Sequence, residues 1–191
     1  MNILTDRFPT AVEIDGCEYA LNTDFRNCLR INLAFEDPEL TGDEKQEILL
    51  RKLYTTVPEN VEKAIELGVK FLDGGNEGEY DDNATTMRLY SLQQDANFIF
   101  AAFKQTHGVD LETTEMHWWK FLAFFMDLGA DTTFCNLTNL RKRLATGEAT
   151  EEEKKLADTM RSVVELHSTY EPPLKEYEIE DKFMQLLAGG K

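Results

Sequence analysis

Residues 117–126 read His-Trp-Trp-Lys-Phe-Leu-Ala-Phe-Phe-Met, and this stretch decides the fold that the sequence predicts. At about 100° per residue, its large apolar side chains surround a helix except for a narrow stripe through Lys120, Ala123 and Asp127. We therefore predict a helix from about Thr114 to Leu128. A helix that is apolar almost all round is either central in its domain or partly covered by a partner.

Helical periodicity continues on both sides of this segment. Each further segment begins at a residue that suits a helix N-terminus, such as Asp24 or Thr132, and Thr41–Glu44 has the spacing of a capping box. The basic run Arg141-Lys142-Arg143 is interpreted as a helix end, where cations are favourable. The predicted helices cover about 22–38, 41–53, 58–73, 87–107 and 131–146.

The chain opens with a predicted β-hairpin. Val12 and Ile14 alternate before Asp15-Gly16, and Cys17 and Tyr19 continue the alternation after it. Asp-Gly suits a two-residue type I′ turn because both of its central residues need a positive φ. An isolated hairpin is marginal in water, so its apolar side needs a cover from the helices.

Gly147 marks a predicted boundary. Beyond it, Thr150–Glu153 has capping-box spacing and begins a charged helix to about His167. A short amphipathic tail follows Pro172-Pro173, with Ile179 and Phe183 on its apolar side. The predicted fold class is mainly α: a single helical domain of about six helices with an N-terminal β-hairpin over residues 1–146, and an acidic helical C-terminal extension over residues 147–191.

Composition favours a cytoplasmic protein that binds neither nucleic acid nor membrane. The formal net charge of −16 opposes binding to phosphates and to anionic lipids. No signal peptide and no membrane-spanning run is recognisable. Cys17, Cys28 and Cys135 form no CxxC pair, so we expect small core residues in a reducing compartment. The charge itself fits simple solubility, a carrier of a basic or aggregation-prone partner, or a mimic of nucleic acid.

Catalytic signatures are missing from the sequence. It contains no HExxH, GxSxG, GxGxxG or Walker A motif. His117 is interpreted as a structural histidine, and Asp95 as a cap or as the ion-pair partner of a basic residue on a neighbouring helix. The segment that begins at Asp73 fails as a calcium loop because Ala84 stands where a glutamate is needed. We therefore predict no enzyme, no catalytic residue, no cofactor and no metal.

Several short segments follow one another in a distinctive order. They are Asn22-Thr23-Asp24-Phe25-Arg26, Gln94-Asp95-Ala96, Ala101-Ala102-Phe103, Gly108-Val109-Asp110-Leu111, His117-Trp118-Trp119-Lys120-Phe121, Phe134 and Leu140-Arg141. This order resembles a family of small tail-region proteins from siphophages and prophages of Gram-positive bacteria. The Asp-Phe-Arg and His-Trp-Trp segments are the most specific, and the likeness covers about residues 1–145.

This resemblance implies a tail-assembly chaperone. Genes of the family lie between those for the tail tube and the tape-measure protein. The implied client is the tape-measure protein, which such chaperones hold before the virion is complete. The tail tube protein is a second candidate partner, and self-association into a homo-oligomer is left open. Two alternatives remain: a minor structural tail protein retained in the virion, and an acidic inhibitor that mimics DNA.

Large aromatic side chains and methionines are the expected client contacts, because they dominate interface energetics and tolerate varied partners. For most of them a purely structural role in the core is the competing interpretation. Phe98 differs, since it lies off the apolar arc of its predicted helix and is expected to be exposed. The predicted partner-binding residues are Phe98, Trp118, Trp119, Phe124, Phe125 and Met126.

Overall fold

A computed structural model describes residues 2–76 and 87–166 of the 191-residue chain. It confirms a mainly helical protein that begins with a β-hairpin and has helices at its C-terminal side. Within the described residues the elements are β1 Ala11–Ile14, β2 Cys17–Ala20, α1 Phe25–Glu36, α2 Gly42–Leu53, α3 Val61–Leu72, α4 Ala96–His107, α5 Trp118–Met126, α6 Thr133–Thr146, α7 Glu151–Thr159 and α8 Arg161–Val164. None of these helices is long and apolar enough to cross a bilayer.

The hairpin has the predicted register. Val12 pairs with Tyr19 and Ile14 with Cys17. Asp15 and Gly16 both have positive φ, at 52° and 76°. Ile14 is buried in the main core, but Cys17 is exposed, so its prediction as a core residue is wrong. Cys17 lies at the tip of the hairpin beside the turn, whereas the buried Cys28 lies on α1.

The starts of α1 and α5 are hydrogen-bonded to each other. The amide of Phe25 donates to the Met116 carbonyl at 3.0 Å, and the amide of Trp118 donates to the Thr23 carbonyl at 2.7 Å. This short antiparallel pairing sets the two helices side by side, and Phe25 stacks on Phe121. The main core runs from the hairpin through α1–α5 and reaches Phe134 on α6.

Helix α4 begins nine residues later than predicted, at Ala96 rather than Met87. The Ser91 amide donates to the Asp95 carboxylate at 3.0 Å, and the chain turns here before the helix begins. The segment before this turn runs as irregular backbone along the protein. Within α4, Phe100 is 42% exposed although the helical pattern placed it inward, and Phe98 is half-buried rather than exposed.

Residues that follow α6 pack back onto it. Val164 is buried with Leu137 and Leu140 in a second, smaller core cluster, and Phe98 touches both clusters. The predicted charged helix after Thr150 is interrupted at Met160, which separates α7 from α8. Gly147, the predicted boundary, is the left-handed C-cap of α6. The predicted amphipathic tail around Ile179–Leu187 lies outside the described residues, as do residues 77–86 of the predicted loop.

Candidate partner-binding groove on helix α5

Two consecutive tryptophans attach the start of α5 to the end of α3. The indole N–H of Trp118 donates to the Leu72 carbonyl, and that of Trp119 donates to the Phe71 carbonyl, both at 2.8 Å. The last carbonyls of a helix have no partner within the helix, so these bonds satisfy groups that otherwise need water or a cap. Trp118 is buried, and Trp119 is half-buried at the surface.

The chain passes under Trp119 as it leaves α3. Gly74 and Gly75 have φ of 73° and 76°, a left-handed conformation that glycine adopts without strain. A Cβ on Gly75 would lie 2.6 Å from Cη2 of Trp119. The glycine therefore serves two purposes at one position, the backbone turn and the close approach of the indole ring.

Phe121 is the centre of the aromatic packing beneath α5. Its ring stacks on Phe103 at 4.8 Å, on Phe25 at 5.1 Å and on Trp118 at 5.4 Å between centroids. Phe121 and Phe103 are fully buried. Such ring pairs add to the free energy gained from burial alone. The inner face of α5 is therefore core, and a partner can reach only its outer face.

His117 is a structural residue, as the sequence predicts. Its Nδ1 accepts the Trp119 amide at 3.1 Å and so caps α5, while its Nε2 donates to the Pro9 carbonyl at 3.0 Å. Because an amide must donate and a carbonyl must accept, the ring is neutral with its proton on Nε2. Burial lowers the pKa of His117, and the hydrogen bond to Pro9 opposes that shift only in part.

A buried ion pair stands on the other side of α4. The Arg141 guanidinium contacts both carboxylate oxygens of Asp95 at 2.6 and 2.9 Å. The prediction that Asp95 pairs with a basic residue of a neighbouring helix is confirmed. Arg143 lies in the last turn of α6, as the interpretation of the basic run as a helix end predicts, whereas Arg141 is only 6% exposed and is taken up by this ion pair.

The outer face of α5 lines an apolar groove of about 550 Å³. Its walls come from α1, the end of α3, the irregular segment before α4, and α5 itself. A second depression of about 500 Å³ adjoins it and shares Tyr90 and Phe125. The groove is lined by Ile3, Leu29, Asn32, Leu72, Asp73, Gly74, Asn76, Tyr90, Leu92, Trp118, Trp119, Phe121, Leu122, Ala123, Phe125 and Met126.

Four of the six predicted contact residues meet at this groove. Trp118 and Trp119 lie at its α3 end, and Phe125 and Met126 lie along α5, where Met126 is 83% exposed. Phe124 does not line it, because its ring stacks on His107 at 4.5 Å, on another side of α5. The sixth, Phe98, packs between the two core clusters instead.

Sequence reasoning did not include Leu122, Tyr90 and Asp73 among the contacts. Leu122 was recognisable, because it shares the apolar arc of α5. Tyr90 was not recognised, because the sequence predicts a helix over 87–107, whereas the backbone at Tyr90 is irregular and α4 begins at Ala96. Asp73 comes from the end of α3, and only the tertiary fold brings it to α5. Within the described residues, no three histidine, cysteine or acidic side chains group as metal ligands.

Several of the segments that suggested a phage family contact one another. The Arg26 guanidinium donates to the Leu111 and Glu112 carbonyls, and Asp95 pairs with Arg141. These segments therefore hold the fold together. A family model described as "Bacteriophage Gp15 protein" matches residues 4–166.

The chain belongs to the bacteriophage Gp15 protein family. The Gp15 match includes both strands and all the helices that the structure describes, and with them the whole α5 groove apart from Ile3. No curated protein and no solved structure matches the chain.

Proposed function

We propose that this Gp15-family protein is a non-enzymatic tail-assembly chaperone that holds the tape-measure protein in the host cytoplasm. The observation that carries the proposal is the apolar groove on α5. Exposed apolar surface that is contiguous and bordered by polar groups is typical of interaction sites. The family match supports a role in phage biology.

The groove suits a helical client. Amphipathic helices bind by laying an apolar face into a hydrophobic groove, with anchors spaced one turn apart. Phe125 supplies a large rigid surface, and Met126 is a flexible side chain that adapts to varied partners. Such a surface can accept successive segments of one long client without a strict sequence requirement.

Co-expression with the tape-measure protein of the same phage tests the proposal. We expect the wild-type chain to raise the soluble fraction of the tape-measure protein severalfold. Met126→Lys should abolish that effect while leaving the free protein folded, because Met126 is 83% exposed. Leu156→Lys is the matched control, since Leu156 is 50% exposed on α7 and lies away from the groove. Insolubility of the tape-measure protein with every variant would refute the chaperone role.

Mass spectrometry of purified virions separates the chaperone from a structural tail protein. A chaperone leaves before assembly ends, so its peptides should be absent from particles that contain tail tube peptides. Stoichiometric retention would favour the minor tail component. Binding to a nuclease or repressor, with no effect on the tape-measure protein, would favour the acidic DNA mimic.

A further inference from the structure

One carboxylate stands in the wall of the apolar groove. Asp73 is the single charged side chain among the described residues that line it. Within residues 2–76 and 87–166, no side-chain hydrogen bond or ion pair reaches this carboxylate. Desolvation raises its pKa above the ordinary value. Burying charge without a partner is unfavourable, so the bound state must supply one if the carboxylate stays ionised there.

Asp73 does not cap α3 through its side chain. It is the C-cap residue of α3, and it makes its cap contacts through its backbone N–H. An anion at a helix C-terminus faces the negative end of the helix dipole. An ionisable group held in an unfavourable setting inside a cleft is a candidate for function rather than for structure.

Aromatic rings line the groove together with this carboxylate. Trp119 is anchored to the Phe71 carbonyl, two residues before Asp73, and Tyr90 lines the same groove. Aromatic faces attract a lysine ammonium or an arginine guanidinium. A carboxylate and an indole at one end of an apolar groove therefore form a suitable subsite for a cationic side chain.

We infer that the groove binds an amphipathic helix that carries a lysine or arginine at one end of its apolar face, paired with Asp73. This inference rests on the proposed function and names the chemistry of the client segment. The chain's net charge of −16 favours the approach of such a cationic helix.

The same charges disfavour two other occupants. The predicted apolar positions Ile179 and Phe183 belong to the chain's own C-terminal segment. In that segment the acidic residues Glu176, Glu178, Glu180 and Asp181 outnumber the two lysines, Lys175 and Lys182. A second copy of the chain carries the same net charge of −16 and is repelled as a whole. A cationic helix experiences neither of these charge repulsions.

Two synthetic peptides of about 20 residues test the inference with the full-length protein. They share one leucine stripe and differ only at positions that flank its ends, which are lysine in one and glutamate in the other. Fluorescence anisotropy should show the lysine peptide binding about tenfold more tightly. Equal binding of the two peptides would overturn the inference.

Asp73→Asn separates local pairing from overall charge. We expect it to weaken binding of the lysine peptide about tenfold and to leave the thermal midpoint of the free protein unchanged or raised. Asp158→Asn makes the same charge change at an exposed site on α7 and should alter the affinity less than about twofold. If both variants weaken binding equally, the pairing with Asp73 is wrong.

Two results would assign the groove to another occupant and overturn the inference. One is a full-length Phe183→Asp variant that binds either peptide much more tightly than wild type, because the chain's own segment would then be the occupant. The other is a dimer in sedimentation that Met126→Lys converts to a monomer. Rescue of the tape-measure protein by Asp73→Asn at wild-type level would refute the pairing while the chaperone role stands. If the protein prefers the lysine peptide but no variant raises the solubility of the tape-measure protein, the chaperone role alone is refuted.

Discussion

The Arg141 guanidinium has all its N–H groups hydrogen-bonded inside the protein. An arginine offers five such donors in a fixed plane. Here they reach both oxygens of Asp95 and the backbone carbonyls of Leu89, Val163 and Val164. One side chain therefore joins α6 to α4, to the irregular segment before it and to α8. A lysine cannot reproduce this arrangement, because its ammonium has three donors at one point.

Arg141→Met should destabilise the protein by about 3–5 kcal/mol, because it leaves the Asp95 carboxylate buried without its partner. Urea denaturation followed by circular dichroism measures the change. Lys142→Met is the matched control on the next, exposed position of α6, and it should change the free energy of unfolding by less than about 0.5 kcal/mol. A loss below about 1 kcal/mol for Arg141→Met would show that the pair is not needed for stability.

Acid should weaken the N-cap at His117. The ordinary pKa of 6.5 applies to the unfolded chain, and burial lowers the pKa in the folded protein. Between these two pKa values the unfolded state binds more protons than the folded state. The contribution of neutral His117 to stability is therefore fully present above pH 6.5, and it falls as the pH drops toward the pKa of the folded state. Urea midpoints measured from about pH 8 to 5 should therefore decline.

His117→Asn provides the comparison for this pH effect. Asparagine caps a helix with an amide oxygen that does not titrate. The free energy of unfolding of the wild-type protein should fall relative to that of His117→Asn as the pH drops from 6.5 toward the folded-state pKa of His117. Parallel pH profiles for the two proteins would show that His117 does not contribute.

At the scale of elements, the junction of α3 and α5 depends on glycine. Gly75→Ala must hold alanine at φ of 76° and also push a Cβ to 2.6 Å from Trp119. We expect a loss of more than about 2 kcal/mol, from left-handed strain together with overpacking. Thermal and urea denaturation both measure it.

Gly147→Ala is the control for this junction. Its φ of 75° is almost the same, but a Cβ there would meet nothing within 4 Å. Only the backbone strain applies, so the loss should be about 1 kcal/mol. Equal losses in the free energy of unfolding for Gly75→Ala and Gly147→Ala would mean that the Trp119 ring moves aside at no cost in free energy.

Elements with strong local signals were predictable from sequence. The hairpin follows from Asp15-Gly16 and its flanking alternation, and α5 from its apolar period. The start of α4 was not predictable, because residues 87–95 carry a helical pattern that tertiary contacts override. The Asp95 carboxylate accepts the Ser91 amide and Arg141, and these bonds stabilise a turn where periodicity alone predicts helix.

The groove was predictable only where α5 forms it. Phe125 and Met126 followed from the excess of apolar surface on one helix. Phe98 was misplaced because a single-helix pattern does not show that α6 also packs on α4. Asp73 was interpreted as the end of the third helix and as the start of a failed calcium loop, and its place in the groove with Trp119 depends on how α3 meets α5. Its role in binding stays a prediction.

For the whole molecule, the net charge of −16 should appear in association kinetics. Attraction between this chain and a cationic helix raises the association rate at low salt. Raising the salt from about 0.02 to 0.3 M should lower the rate of lysine-peptide binding about tenfold or more, with a smaller effect on dissociation. Stopped-flow anisotropy measures both rates, and the glutamate peptide, which should show the opposite trend, is the control.

The paired starts of α1 and α5 have a consequence for synthesis on the ribosome. Phe25 and its packing partner Phe121 are separated by roughly a hundred residues, which take on the order of ten seconds to translate. Throughout that interval the face of α1 that carries Phe25 has no α5 to cover it. The α5 groove therefore forms only after most of the chain has been translated, so any partner that binds there can bind only late in synthesis.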